Sequence, residues 1–265
     1  MLKIHNLEMT FHQGEVNQVH ALQKINLQLP PGEFLAIIGS NGAGKSTLLN
    51  SVAGVFTPTR GQIVIDNQDV THWPEYRRAT LVGRVFQNPL MGTAASMTIE
   101  QNLTLAIKRG QPRGLSLGVT TQRREQFREA LAHFGLGLEN RLDTRMSLLS
   151  GGQRQTLTLL MATLARPKIL LLDEHTAALD PATAHKIVGL TNQIIGETQL
   201  TTIMVTHNMR QALEMGTRTI MMHEGQILFD FSGQARQNLT VPKLLQMFAE
   251  VRHQELADDR LLLAD

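Results

Sequence analysis

Glu33-Phe-Leu-Ala-Ile-Ile38-Gly39-Ser40-Asn41-Gly42-Ala43-Gly44-Lys45-Ser46-Thr47-Leu-Leu-Asn-Ser-Val-Ala53 is the stretch whose reading decides the fold. The short apolar run ending at Ile38 suits a strand buried on both faces. Gly39 to Thr47 fits the pattern G-x-x-x-x-G-K-[ST], and Ser46–Ala53 reads as a helix. In such a strand–loop–helix unit, glycines let backbone N–H groups curl round phosphates without Cβ clashes. The helix N-terminus adds positive potential, and Lys45 reaches the outer phosphates. The Ser46 hydroxyl suits a Mg²⁺ ligand. The pattern specifies nucleotide binding and leaves the class of nucleotide enzyme open.

Further along, Ile169-Leu-Leu-Leu172-Asp173-Glu174 reads as a buried strand that carries two carboxylates to its C-terminal end, where α/β sheets bind ligands. Asp173 suits holding Mg²⁺ through water, and Glu174 suits polarising an attacking water. A core strand ending in a solvated acidic pair is the plainer alternative, and the phosphate loop upstream weighs against it. Between the two lies Leu149-Ser150-Gly151-Gly152-Gln153-Arg154-Gln155. Ser150 reads as a helix N-cap, with Gly151 and Gly152 leaving open N–H groups. One chain has no evident use for two anion-binding helix starts, so the second is expected to face the nucleotide of another subunit.

The surrounding periodicity completes an α/β fold. Strands are expected at Leu2–Phe11, Ala21–Leu29, Gln62–Asp66, Leu81–Phe86, Lys168–Leu172, Thr202–Val205, Thr219–Met222 and Gln226–Phe229, and a helix at Pro181–Ile195. From Asn88 to Leu149 the alternation gives way to helical spacing, at Ile99–Ile107 and Gln122–Phe134, with Gly110, Pro112, Gly114 and Gly118 between them. The expectation is a single 1–265 domain. Its nucleotide-binding core is 1–87 and 167–241, its helical subdomain is 88–166, and 242–265 forms a helical tail. The sheet is expected to be mainly parallel, with an N-terminal antiparallel β portion.

Composition bounds the rest. The 265 residues are 42% hydrophobic and 18% charged, and 25 Lys+Arg against 23 Asp+Glu leave a charge of only +2. That balance argues for no polyanionic partner. With no cysteine there is no disulfide, thiolate metal site or thiol nucleophile. The start shows no signal pattern, and no apolar run reaches the roughly 18 residues of a membrane span. Six Lys/Arg (Lys108, Arg109, Arg113, Arg123, Arg124, Arg128) against Glu125 read first as a solvated helical face and second as a surface near anionic lipid headgroups. Nucleic acid is disfavoured because aromatic residues for base stacking are scarce there.

The phosphate loop, the Ser150 element and the acidic strand, in that order, resemble the Walker A, signature and Walker B motifs of ATP-binding-cassette (ABC) ATPases. The resemblance runs nearly the whole chain and implies Mg²⁺-dependent ATP hydrolysis by a dimer with two ATP molecules at its interface. It implies that Gln87, in Val85-Phe-Gln-Asn-Pro89, is the Q-loop glutamine contacting Mg²⁺ or its water. Asp180, in Ala177-Ala-Leu-Asp180, would belong to the interface-crossing D-loop. His207, in Val205-Thr-His-Asn208, would be the switch histidine on the γ-phosphate. Phe11 would stack on adenine; as a lone Phe in a strand it fits a core position nearly as well. His175 stands where many of these ATPases have proline, and is read as a subfamily feature rather than a second base.

Only 104 residues separate Lys45 from Ser150, and each motif occurs once. That leaves no room for the coiled-coil insertion or second cassette of chromosome-maintenance or translation relatives. Gln155–Leu164 and Asp173–Pro181 further resemble ATPase subunits of bacterial importers encoded with a permease and a solute-binding protein, for some of which aromatic amino acids are the suggested cargo. The resemblance implies a peripheral subunit on the cytoplasmic face of the membrane. A soluble assembly ATPase, such as one serving iron–sulfur cluster formation, is the alternative.

Overall fold

The structure, a computed structural model, describes residues 1–111, 118–135 and 137–250. Pro112, Arg113, Gly114 and the 251–265 part of the expected tail lie outside the described residues. In chain order the elements are β1 (Leu2–Phe11), β2 (Val19–Leu29), β3 (Phe34–Gly39), α1 (Lys45–Ala53), β4 (Arg60–Ile65), β5 (Gln68–Asp69), α2 (Glu75–Arg78), β6 (Val82–Val85), α3 (Ile99–Ile107) and α4 (Thr121–Ala132). There follow α5 (Gly151–Leu164), β7 (Ile169–Asp173), α6 (Pro181–Thr198), β8 (Thr201–Val205), α7 (Met209–Met215), β9 (Arg218–His223), β10 (Gln226–Phe231) and α8 (Gly233–Gln237). Residues 241–250 are helical.

Two sheets form. One is antiparallel, in the order β2-β1-β4-β5; the other runs β10-β9-β3-β8-β7-β6. In the second, β9, β3, β8, β7 and β6 are parallel and β10 joins one edge antiparallel to β9. The apolar runs of β3 and β7 form interior strands of it, with both of their faces covered. Leu35, Ile37, Leu171, Ile203 and Ile220 pack towards α1 and the antiparallel sheet. Their alternates Ala36, Ile38, Leu172 and Met204 pack against a layer that includes Leu159 of α5 and Ile194 of α6. The segment between β6 and β7 is helical at α3 and α4, as its spacing predicts, and buries its own cluster around Ile99, Leu103, Phe127, Leu131 and Leu157. α3 begins with a Thr98–Gln101 capping box.

Among the described residues a few charged side chains are buried, namely Lys45, Arg78 and Arg236. Arg78, at the end of α2, is 1% exposed. It donates to the carbonyls of Ser51, Val52 (3.2 Å) and Thr71 (2.7 Å), and so adds donors at the last turn of α1 beyond the Gly54 N–H that reaches Asn50 O and Ser51 O. Burial pushes its guanidinium down to about 10, partly offset by Asp69. Arg78→Met removes the donors and leaves buried carbonyls unpaired, so unfolding in urea should show a loss of about 3 kcal/mol. A loss below about 1 kcal/mol would show that the helix end closes without it.

Candidate functional site

Strand register brings the site together. β3 and β8 pair Ile37 with Val205, β8 and β7 pair Val205 with Asp173, and β7 and β6 pair Leu172 with Val85. Four neighbouring parallel strands therefore end level, about 4.8 Å apart. The next few residues along each chain are Gly39–Lys45 after β3, His207 after β8, Glu174 after β7 and Gln87 after β6. One edge of one sheet thus carries a phosphate-type loop, two carboxylates, an imidazole and an amide.

The loop after β3 is tightly enclosed. A Cβ at Gly39 would stand 2.3 Å from Met222 O, and one at Gly44 would stand 2.5 Å from Ala21 O. Gly44 also has φ +92°, a left-handed conformation that side chains resist. Ser40, Asn41 and Gly42 form the outer curve, Ala43 is buried, and Ser46 and Thr47 open α1. Lys45 is buried and its Nζ donates to the loop's own carbonyls, at 2.9 Å to Gly39 O and 2.6 Å to Ser40 O. Burial lowers its pKa, and the facing Glu174 carboxylate pulls it part of the way back.

Glu174 takes φ +42°, uncommon for a residue with a side chain, as the chain turns sharply out of β7. Its backbone N–H bonds Val205 O at 3.0 Å, and its Oε2 lies 3.3 Å from His207 Nδ1. The Glu174 carboxylate therefore interacts with both the Lys45 ammonium and the His207 imidazole. Asp173 turns instead to Arg84 of β6, Nη2 to Oδ2 at 3.1 Å. His175 is buried, with Nε2 3.4 Å from Thr191 Oγ1, and burial pushes its imidazole down to about 4. It is neutral at pH 7 and turned into the core, which fits its reading as something other than a base. His207 does not cap α7; Asn208 does, accepting from Gln211 N.

The other expected residues are also locatable. Gln87 is exposed just after Phe86, whose carbonyl accepts from the buried Gln155 Nε2 at 3.2 Å. That link between α5 and the Gln87 loop escapes sequence reading, although Gln155 lies in the motif itself. Phe11, at the end of β1, is half-buried and meets Phe56 edge-on at 5.2 Å between ring centres. Ser150 is the N-cap of α5, as the sequence predicts, and it shares a capping box with Gln153. Gly151 is exposed, and Gly152 packs so closely on α6 that a Cβ would stand 2.4 Å from Thr183 Cγ2. Asp180 caps α6, and the hydrogen bond from Thr183 holds its carboxyl below the ordinary value.

Against known proteins, residues 22–177 match the family described as ABC transporter. That match spans more than half of the sequence and takes in the loop, the capped helix and the acidic strand. The chain belongs to the ABC transporter family. It is an ATPase of that family. A tyrosine transport ATP-binding protein from Clostridioides difficile (strain R20291) is 44% identical over 94% of this chain and 98% of its own length. The thiamine import ATP-binding protein ThiQ of Yersinia pseudotuberculosis is 40% identical over 82% and 86%. A dimeric ATP-binding cassette, MJ0796, solved in a post-hydrolysis state with ADP and Pi, superposes with a TM-score of 0.75 at 30% identity. That superposition covers 88% of this chain and 98% of MJ0796.

The loop gives a direct test. Gly44→Ala forces a Cβ into Ala21 O at a left-handed position, so the loop must shift. Nucleotide affinity, read with a fluorescent ATP analogue, should fall at least about tenfold, and stability should fall by roughly 1–3 kcal/mol. Unchanged affinity would show that the loop's shape is dispensable for binding.

Proposed function

We propose that this chain powers import of a small solute, an aromatic amino acid such as tyrosine, from the cytoplasmic face of the membrane. The observation that carries the reading is 44% identity with a tyrosine transport ATP-binding protein along almost the full length of both chains. Similarity to a thiamine import protein supports the direction of transport. Among the described residues no helix is long and apolar enough to cross a membrane, so the reading requires permease subunits, and for import a solute-binding protein outside.

A groove of about 200 Å³ supports a permease docking site at the junction of the core and the helical segment. Ala53, Ala79, Phe86, Gly92 and Met161 line it. Tyr76 and Met91, next in sequence to the groove residues Glu75 and Gly92, are 79% and 70% exposed, side chains that a docked partner would cover. The subdomain boundaries proposed are those of the sequence reading, 88–166 between the core segments 1–87 and 167–241, with a 242–265 tail. The separate cluster under α3 and α4 supports them.

In this reading, backbone N–H groups from Gly39 to Thr47 and the Lys45 ammonium hold the phosphates, and Phe11 takes the adenine. The Ser46 hydroxyl, Asp173 carboxylate and Gln87 amide are hard oxygen donors. Among the described residues there is no cluster of three or more His, Cys, Asp and Glu residues that would cage a metal alone. Few protein oxygens beside substrate phosphates suit Mg²⁺. When bound, Mg²⁺ would neutralise phosphate charge. Glu174 polarises the water, and His207, 3.3 Å away, orients it and faces the γ-phosphate. Ser150, Gly151, Gly152 and Gln153, with Asp180 beside them, serve the nucleotide of the second subunit. The dimeric form of the similar MJ0796 cassette supports that arrangement.

Glu174→Gln keeps shape and removes the charge, so steady-state turnover should fall about 10²–10⁴-fold with ATP affinity preserved. The same variant should become dimeric by light scattering in saturating Mg-ATP. A monomer there, even with the permease present, counts against the shared site. Mixing Lys45→Ala with Ser150→Arg subunits should restore part of the closure, because both lesions then fall on one of the two sites. The cargo is tested by reconstituting the subunit with a permease and a solute-binding protein that bind it. ATP hydrolysis should rise with tyrosine, and a rise with thiamine alone would overturn the aromatic assignment.

A further inference from the structure

Arg84 is a half-buried charge that none of the roles above uses. β6 and β7 pair Arg84 with Leu171, so Arg84 and Asp173, two residues past Leu171, lie on one face of the sheet. Arg84 Nη2 reaches Asp173 Oδ2 at 3.1 Å, with the two side chains only 14% and 19% exposed. The guanidinium carbon also stands 4.5 Å from the centre of the Phe86 ring, a cation–π contact that holds the fork over the strand end. Its Nε is buried without an acceptor. Arg84 is therefore positioned by one carboxylate and one aromatic face, and has an unused donor. It also lines the groove between core and helical segment, together with Glu75 and Arg109. Burial lowers the Arg109 pKa, and among the described residues the Glu75 carboxylate has no ion-pair partner.

We propose that Arg84 is a counter-ion that competes with the divalent cation for Asp173, so that loading the cation requires Arg84 to leave that carboxylate for the groove. The inference rests on the reading of Asp173 as the carboxylate that serves the cation. A paired Asp173 is close to neutral as a unit and offers a divalent ion little attraction; the guanidinium adds repulsion at short range. Arg84 thereby acts as a positioning residue. It keeps Asp173 in one orientation at the end of β7 and sets how much cation the site demands before it assembles. Because the same guanidinium lines the groove, an oxygen offered there would favour release of Asp173.

The probe is Mn²⁺, whose binding to the purified subunit with a saturating non-hydrolysable ATP analogue is read by electron paramagnetic resonance, independent of turnover. Arg84→Met keeps the apolar stem and removes the charge, and should tighten Mn²⁺ about tenfold, the scale of one nearby charge at a part-buried site. Arg84→Gln should tighten it in the same direction, and Arg84→Lys should stay within about threefold of the parent. Asp173→Asn should weaken Mn²⁺, and in that background Arg84→Met should gain less than about threefold. Unchanged or weaker Mn²⁺ binding in Arg84→Met and Arg84→Gln, with Asp173→Asn still weakened, overturns the counter-ion and leaves the metal role of Asp173 standing. Unaltered binding in Asp173→Asn overturns both. Should both neutral variants fail to fold, the parent protein decides. Its Arg84 side-chain ¹⁵Nε resonance, identified in Arg84→Lys, should move when Mg²⁺ is added to the nucleotide complex, and a resonance that stays in place overturns the proposal.

Discussion

The parallel register of β3, β8, β7 and β6 is the constraint on which the site depends. Hydrogen bonds level Ile37 with Val205, Val205 with Asp173 and Leu172 with Val85, so four loops leave the sheet at one height. A slip of one residue in any pair would turn that strand's buried side chains to the opposite face. The strands resist such a slip because each face meets a different partner, α1 and the antiparallel sheet on one side, α5 to α7 on the other. Packing energy spread through the interior thus fixes where Lys45, Glu174 and His207 stand, although none of the three contributes much to it.

Hydrogen bonds then join what the sheet has aligned. The Thr206 hydroxyl donates to Gln211, whose amide donates to Thr176 at 3.1 Å, so the segment carrying His207 is tied to the one following Glu174. Gln155 ties α5 to Phe86, one residue before Gln87. In an interior of low dielectric such polar links are strong and geometrically demanding. They offer a route by which movement of the helical segment shifts Gln87 against a sheet that stays in place.

What the sequence revealed and what it hid follow from separation along the chain. The phosphate loop, the Ser150 N-cap and the two carboxylates ending β7 are local patterns, and the structure has the loop, capped helix and strand where those patterns put them. α4 stops at Ala132, short of the Phe134 suggested by spacing, because the chain turns at His133–Gly135. β5 and α2, of two and four residues, are too short to carry a period. The Arg84–Asp173 pair joins residues 89 apart, and nothing in either neighbourhood announces it. Arg78 escaped for a related reason: arginine is ordinarily a surface residue, and only the assembled layers turn it inward. The run from Lys108 to Arg128 divides in a way composition could not foresee. Arg124 and Arg128 pair with carboxylates, while Arg109 is drawn into the groove.

The bonds from Lys45 to Gly39 O and Ser40 O have a kinetic side. A loop braced by its own lysine takes its shape from folding of the chain, so an arriving nucleotide has little backbone left to order. What it must do is draw one ammonium away from two carbonyls, an exchange of partners among groups already in place. Association should then run at a rate set by encounter and by rotation of a single side chain, rather than by the slower reorganisation of nine residues.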